Sequence, residues 1–202
     1  MILTHVNKRP KIDRSAYVAP TATVCGDVEI GPGCRIMFGA CVVSERAPLR
    51  LGAKCIVMEN AVIRSTNRHP AAIGAHCLIG PNTDLVGCTL EESVFVATGA
   101  AILHGAHLAT GSEVRANGVV QICTRIAPHA TVPIGWVAVG DPAQFFPPDQ
   151  HDAIWAVQEP LNFPEFVYGV ARGPQGRNDM AEITRRRAAE LASHATDKIV
   201  GK

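Results

Sequence analysis

The chain has 202 residues, long enough for one domain with a short appendage and a sizeable buried core. Nineteen Lys and Arg stand against 18 Asp and Glu, which leaves no bulk electrostatic case for nucleic acid or an anionic membrane surface as partner. No apolar run reaches membrane-spanning length and residues 1–10 carry no signal-peptide core, so the expectation is a cytoplasmic protein.

Residues 1–11 read as an N-terminal entry segment that caps the open end of a repeat array. From Ile12 onward an aliphatic residue returns at every sixth position: Ile12, Val18, Val24, Ile30, Ile36 and Val42, then again Val96, Ile102, Leu108, Val114, Val120, Ile126 and Val132. Hexads of this kind predict a β-helix whose repeats are the short flat sides of a triangular coil. No hexad buries its aliphatic residue alone, so the fold exists only as a stack. With three hexads per turn, Val18, Ile36, Val57, Ile79, Val96, Val114 and Val132 form one internal column. Val24, Val42, Ile63, Leu85, Ile102 and Val120 form a second, and Ile30, Leu51, Ile73, Leu90, Leu108 and Ile126 a third. Strands stacked about 4.8 Å apart make about seven coils a prism roughly 30 Å long.

Two places before the lattice aliphatic lies a corner that holds small residues such as Ala22, Ala40, Ala61, Ala100 and Ser112. Cys34, Cys55, Cys77 and Cys88 occupy the same slot, which makes them small hydrophobes. No CxxC is present, so a zinc or redox cysteine motif is not expected.

Two insertions break the beat, at residues 44–48 and 64–72, and loops leaving a regular solenoid are where function is usually placed. The β-helix domain is expected over residues 12–142 and a helical extension over 143–202. Residues 145–148 (Phe-Phe-Pro-Pro) read as a rigid link, succeeded by a helix begun at Asp149 and limited by Pro160 and Pro164. A second helix is expected from Asn178 as N-cap to about His194, with Met180, Ile183 and Leu191 on one face. Arg185, Arg186 and Arg187 on it read as a solvated face.

The segment Val24-Cys-Gly-Asp-Val-Glu-Ile-Gly-Pro-Gly, the stretch at residues 56–63, the run from Ile79 to Leu90 with its Gly-Cys-Thr-Leu, and Val139-Gly-Asp-Pro-Ala together resemble γ-class carbonic anhydrase-like proteins. The resemblance covers about residues 10–145. It implies an all-β solenoid, a left-handed parallel β-helix with C-terminal α-helices, assembled as a homotrimer. Active members hold zinc between subunits with three histidines, and the matching positions here are Arg64, Pro81 and Val86. None of these residues is a zinc donor, so no metal and no other cofactor is expected. The family's Arg-Gly-Asp at the first bulge matches Ser44-Glu45-Arg46 or a one-residue shift of it, and its glutamine and aspartate match Met58 and Glu59.

The leading expectation is therefore a binding or assembly module without CO2 hydration. Arg64 and Glu45 are its candidate residues in the intersubunit cleft, for an ion pair or for a bound carboxylate or phosphate. An alternative starts from His69, which precedes Pro70 in the larger loop. This order resembles hexapeptide-repeat acetyltransferases, and it implies His69 as general base with a CoA thioester as acyl donor. Thioesterase chemistry at the same residue is a variant of that alternative. His76 and His129 read as solvated corner residues, and no histidine pair, His104 and His107 included, has metal-ligand spacing.

Overall fold

A computed structural model describes residues 1–173 and 176–201. The chain winds as a parallel β-solenoid of about eight turns, one more than the repeat count gives. Two faces carry seven strands each, and the third carries ten. The additional coil comes from the N-terminus, where Ile2–Thr4 pairs in parallel with Thr23–Cys25.

All three aliphatic columns form in the expected register. Ile36 pairs with Val57, Val57 with Ile79 and Ile79 with Val96 on the first face. Val42, Ile63, Leu85 and Ile102 succeed one another on the second. Leu51, Ile73, Leu90 and Leu108 do so on the third. These side chains are almost wholly buried, as a solenoid core requires, since each coil finds its apolar partners only in the coils above and below.

The corner cysteines are buried and free. Cys34, Cys55 and Cys77 stack along one edge, their thiols donating to the carbonyls of Gly52, Gly74 and Glu91 one coil on (3.0, 2.9 and 3.1 Å). The slot is less strict than the sequence pattern implies, for Thr83 and Val94 are buried in it too.

The ten-stranded face is closed at both ends by antiparallel strands. Residues 145 and 146, expected in a rigid link, lie instead in the strand Gln144–Phe146, which folds back on Val137–Val139. At the other end Lys198–Gly201 pairs antiparallel with Ile2–Thr4. Both cover a sheet edge that would otherwise offer unpaired N–H and C=O groups.

Among the described residues the extension holds three α-helices rather than two. Helix α1 spans His151–Gln158, starting after Gln150 rather than at Asp149, and buries Ile154. Pro160 falls in a short 3-10 segment after it. Pro164 does not end a helix but opens one, α2 at Phe163–Tyr168, because a proline at the first turn loses no hydrogen bond there. Helix α3 spans Met180–Leu191. Its cap is Asp179, whose side chain accepts from the Glu182 N–H, and not Asn178. Ile183 is buried, while Met180 and Leu191 are exposed, so the expected apolar face is a single contact. Among the described residues no helix is long and apolar enough to cross a membrane.

Candidate functional site: a cleft between the insertions and the C-terminal helices

Both insertions leave the solenoid beside the ten-stranded face. The strands Cys41–Ser44 and Val62–Ser65 are in register, with Val43 opposite Arg64 and Ser44 opposite Ser65. The loops they feed are tied together underneath: the Ser44 and Ser65 hydroxyls both donate to the Ala47 carbonyl (2.9 and 2.5 Å). Helices α2 and α3 pack over this region and enclose a cavity of about 320 Å³ whose walls include Arg64, Asp84, His104, Phe163, Tyr168 and Arg187.

Glu45 lies outside this lining, only 5 % exposed, and reaches it through the arginines it pairs with. Arg187 of α3 reaches it with both terminal nitrogens, Nη1 to Oε2 and Nη2 to Oε1, each at 3.0 Å. Such a two-point clamp is the strong form of an ion pair. Arg187 also donates to Glu190 at 2.7 Å, and these partners hold its pKa above the ordinary arginine value. Arg185 and Arg186 remain at the surface on Glu182. The solvated-face expectation therefore holds for two of the three arginines, and Arg187 departs from it.

Arg64 approaches the same carboxylate less closely, Nη1 to Oε1 at 3.9 Å, and its Nε is buried without a partner. Glu45 and Arg64, singled out from the sequence, are thus brought together, and Glu45 is engaged within its own chain by a residue 142 positions away.

His69 is half-buried beside His104, one of the residues that line the cavity. Its Nε2 is 3.2 Å from the Phe166 carbonyl, its ring packs on Phe166 (centroids 4.7 Å) and it meets His104 edge-on (5.3 Å). The contact is close because Gly87 stands behind it: a Cβ there would lie 2.5 Å from the His69 Cβ. The Phe166 carbonyl can only accept, so Nε2 carries the proton in this contact, and Nδ1 is the ring nitrogen left to act as a general base.

His104 is almost fully buried and its Nδ1 has no partner. Desolvation above all, then the nearby His69 and Arg187, lowers its pKa to about 4, against a small opposing effect of Glu45. Its burial was not legible in the hexad pattern, because the groups that cover it come from the insertion and α2. His107 pairs at the surface with Glu91 (2.8 Å). His76 and His129 are exposed corner residues with φ of +60° and +58°.

The register also locates the three residues that the resemblance matches to zinc ligands. Arg64 and Val86 are direct Cα partners on adjacent coils, and Pro81 comes after the strand Leu78–Ile79 at the corner before that face. Over 145 residues the chain is 34 % identical to "Gamma carbonic anhydrase 1, mitochondrial" of Arabidopsis thaliana, a match covering 69 % of this chain and 50 % of that protein. The chain is a γ-carbonic anhydrase-like hexapeptide-repeat protein. It is also 26 % identical over 111 residues to a carbonic anhydrase of Geobacillus kaustophilus, covering 55 % of this chain and 61 % of that one. The chain spans about half the length of the Arabidopsis relatives it matches. No protein-family model matches it.

Among solved structures, the chain is similar to a UDP-N-acetylglucosamine acyltransferase of Francisella novicida (TM-score 0.58, 14 % identity, 95 % of this chain and 86 % of that one). It is also similar to a "putative acetyltransferase" of Bacillus cereus (TM-score 0.54, 17 % identity, 94 % and 96 %). At such identities the likeness is one of fold alone.

The chemistry of the three positions decides what a zinc ion would meet there. A guanidinium stays protonated, and proline and valine side chains carry no lone pair. None of the three offers zinc an N, O or S donor, so the group implied by the resemblance does not fit these residues.

Proposed function

We propose that this chain forms a homotrimer of the γ-carbonic anhydrase type that does not hydrate CO2 and works as a binding or assembly module. The observation that carries the reading is the pairing of Arg64 with Val86 at the ligand positions, with Arg64 turned toward the buried Glu45. A fixed cation on the chain stands where the resemblance puts a metal ion, and its charge is met by a carboxylate instead of by a hydroxide nucleophile. The cavity above it has aromatic walls from Phe163 and Tyr168 and an arginine whose Nε lacks an acceptor, which suits a small carboxylate- or phosphate-bearing ligand.

Stopped-flow CO2 hydration, run on the purified chain with and without added zinc, tests the reading beside sedimentation equilibrium. Rates at the uncatalysed background with a trimeric mass agree with it. Zinc-dependent hydration that exceeds background overturns it, as does a monomer. An increase in melting temperature with acetyl-CoA or longer acyl-CoAs would move the assignment to acyl transfer through His69.

A further inference from the structure

Away from the cleft, the two ends of the chain meet in a cluster of metal-ligating side chains. His5 opens a two-residue turn closed by a bridge to Lys8, with Val6 and Asn7 at φ of +45° and +59°. Asp197 lies just before the C-terminal strand, and its carboxylate takes both imidazoles: His5 Nδ1 at 2.6 Å and His194 Nδ1 at 2.8 Å. The two rings are stacked, with centroids 4.1 Å apart. The His5, His194 and Asp197 ligand atoms all lie within 4.8 Å of one another. The Cys25 thiol, on the second strand of the same face, donates to Asp197 Oδ2 (3.6 Å), the oxygen that His194 also meets, while it stands outside the group of mutually close ligand atoms. His5 and Cys25 are 2 % and 3 % exposed.

We propose that His5, Cys25, His194 and Asp197 form a structural zinc site that staples the C-terminus to the first coil. Two nitrogens, one oxygen and one sulfur are a donor set suited to zinc, and four protein ligands make a closed, structural site. Bond lengths of about 2.0 Å to N and O and 2.3 Å to S put tetrahedral neighbours roughly 3.3 Å apart for N and O and 3.5 Å for S and O. The sulfur-to-oxygen distance already matches. His194 Nδ1 would retreat from Oδ2 by about half an ångström, His5 Nδ1 would shift from Oδ1 toward the oxygen that binds, and Cys25 would turn its thiol in toward the two nitrogens.

Binding balances simply. The Cys25 thiol gives its proton to solvent, and each neutral imidazole carries its proton on Nε2 instead of Nδ1. Thiolate and carboxylate together neutralise the dication. The Nε2 of His5 faces the Ser193 hydroxyl at 3.5 Å, an acceptor of the kind that orients metal-bound histidines. The ligands lie on three segments, with His194 and Asp197 on the same one, so the ion would fix the strand Lys198–Gly201 and, through residues 192–196, the helix that delivers Arg187 to Glu45.

Cobalt is the probe, added to the full chain after treatment with a chelator. One equivalent is expected to give the intense visible bands of tetrahedral cobalt and a thiolate charge-transfer band. The zinc-loaded chain should melt higher than the stripped one. Cys25→Ser should abolish the charge-transfer band, and His194→Gln should weaken cobalt binding by more than about 100-fold. Ser193→Ala, which removes only the acceptor behind His5, should weaken it roughly tenfold. Circular dichroism checks that each variant folds, and His194→Gln decides if Cys25→Ser does not. A charge-transfer band that survives in Cys25→Ser, or cobalt affinity unchanged in His194→Gln, overturns the site, as does a chain that takes up no cobalt. The cleft at Arg64 has no thiolate, so a metal bound there would give no Cys25-dependent band, which separates this site from the reading of the cleft.

Discussion

Arg187 and Glu45 form a two-point, largely buried ion pair in which each leaves a charge stranded if the other is removed. Arg187→Ala would leave Glu45 buried with only Arg64, at 3.9 Å, to meet its charge. Breaking a buried pair costs about 3 kcal/mol or more, and Arg64 offsets only part of that. The expected result is a lower urea midpoint at fixed protein concentration. The double variant Glu45→Gln/Arg187→Met should recover more than half of the loss, because no uncompensated charge remains. His104 makes a second prediction at this scale. Its folded pKa, about 4, lies below the ordinary histidine value of 6.5, so below pH 6.5 the unfolded chain takes up a proton that the native chain refuses. Stability contributed by the neutral ring is therefore complete above 6.5 and falls as the pH drops toward 4. At pH 5 the loss is about 1–2 kcal/mol after allowing for partial solvent screening. His104→Asn should flatten the part of the pH dependence between 5 and 7 in urea unfolding curves, and an unchanged slope would refute the assignment.

At the scale of the coil, the hexad register predicts where substitutions hurt. Leu85 is fully buried between Ile63 and Ile102 in the middle of its column, so Leu85→Ala should cost about 3–5 kcal/mol. Ile12 is half-buried at the end of its column, and Ile12→Ala should cost about 1 kcal/mol. Equal losses at the two positions would contradict the stack as the source of stability. Gly87→Ala tests a different contact, because its Cβ would collide with His69 and its φ of +55° disfavours a side chain. A destabilisation of about 1–3 kcal/mol is expected, with a shift of the His69 ring resonances. The columns and buried corners were legible because, away from the two insertions, each lattice residue meets neighbours about eighteen positions away, a spacing that the sequence repeats as hexads. Arg187 and the burial of His104 were not, because the contacts that define them join the insertions to helices far along the chain with no period to announce them. The cap strands were not legible for a related reason: three or four residues such as Gln144–Phe146 and Lys198–Gly201 carry no pattern, and only the open sheet edge beside them selects a strand.

The whole prism leaves one face underused. On the seven-stranded face of the Val18 column, Ile56, Leu78 and Phe95 are successive outward-facing partners, with Ile56 and Leu78 37 % and 36 % exposed. Phe38, 49 % exposed, lies at the corner just beyond the neighbouring strand Arg35–Ile36. An apolar stripe across adjacent coils is poor surface for a lone prism and good surface for an interface. Pro81 comes after the strand carrying Leu78, whereas Arg64 and Val86 lie on the ten-stranded face. A trimer that brings these positions together must therefore set the edge of the stripe face of one prism against the ten-stranded face of the next. Leu78→Glu places a charge in the middle of the stripe while leaving the core column untouched, so the folded prism should survive and the association should weaken by tenfold or more, a loss of about 1.4 kcal/mol or more. Sedimentation equilibrium at micromolar concentration reads the mass, and far-UV circular dichroism confirms that the β-solenoid is retained. Arg64→Glu should weaken the association too if Arg64 lies at the contact. A Leu78→Glu chain whose mass equals that of the parent would show that the stripe faces solvent, and the interface of the proposed trimer would then have to be sought on another face.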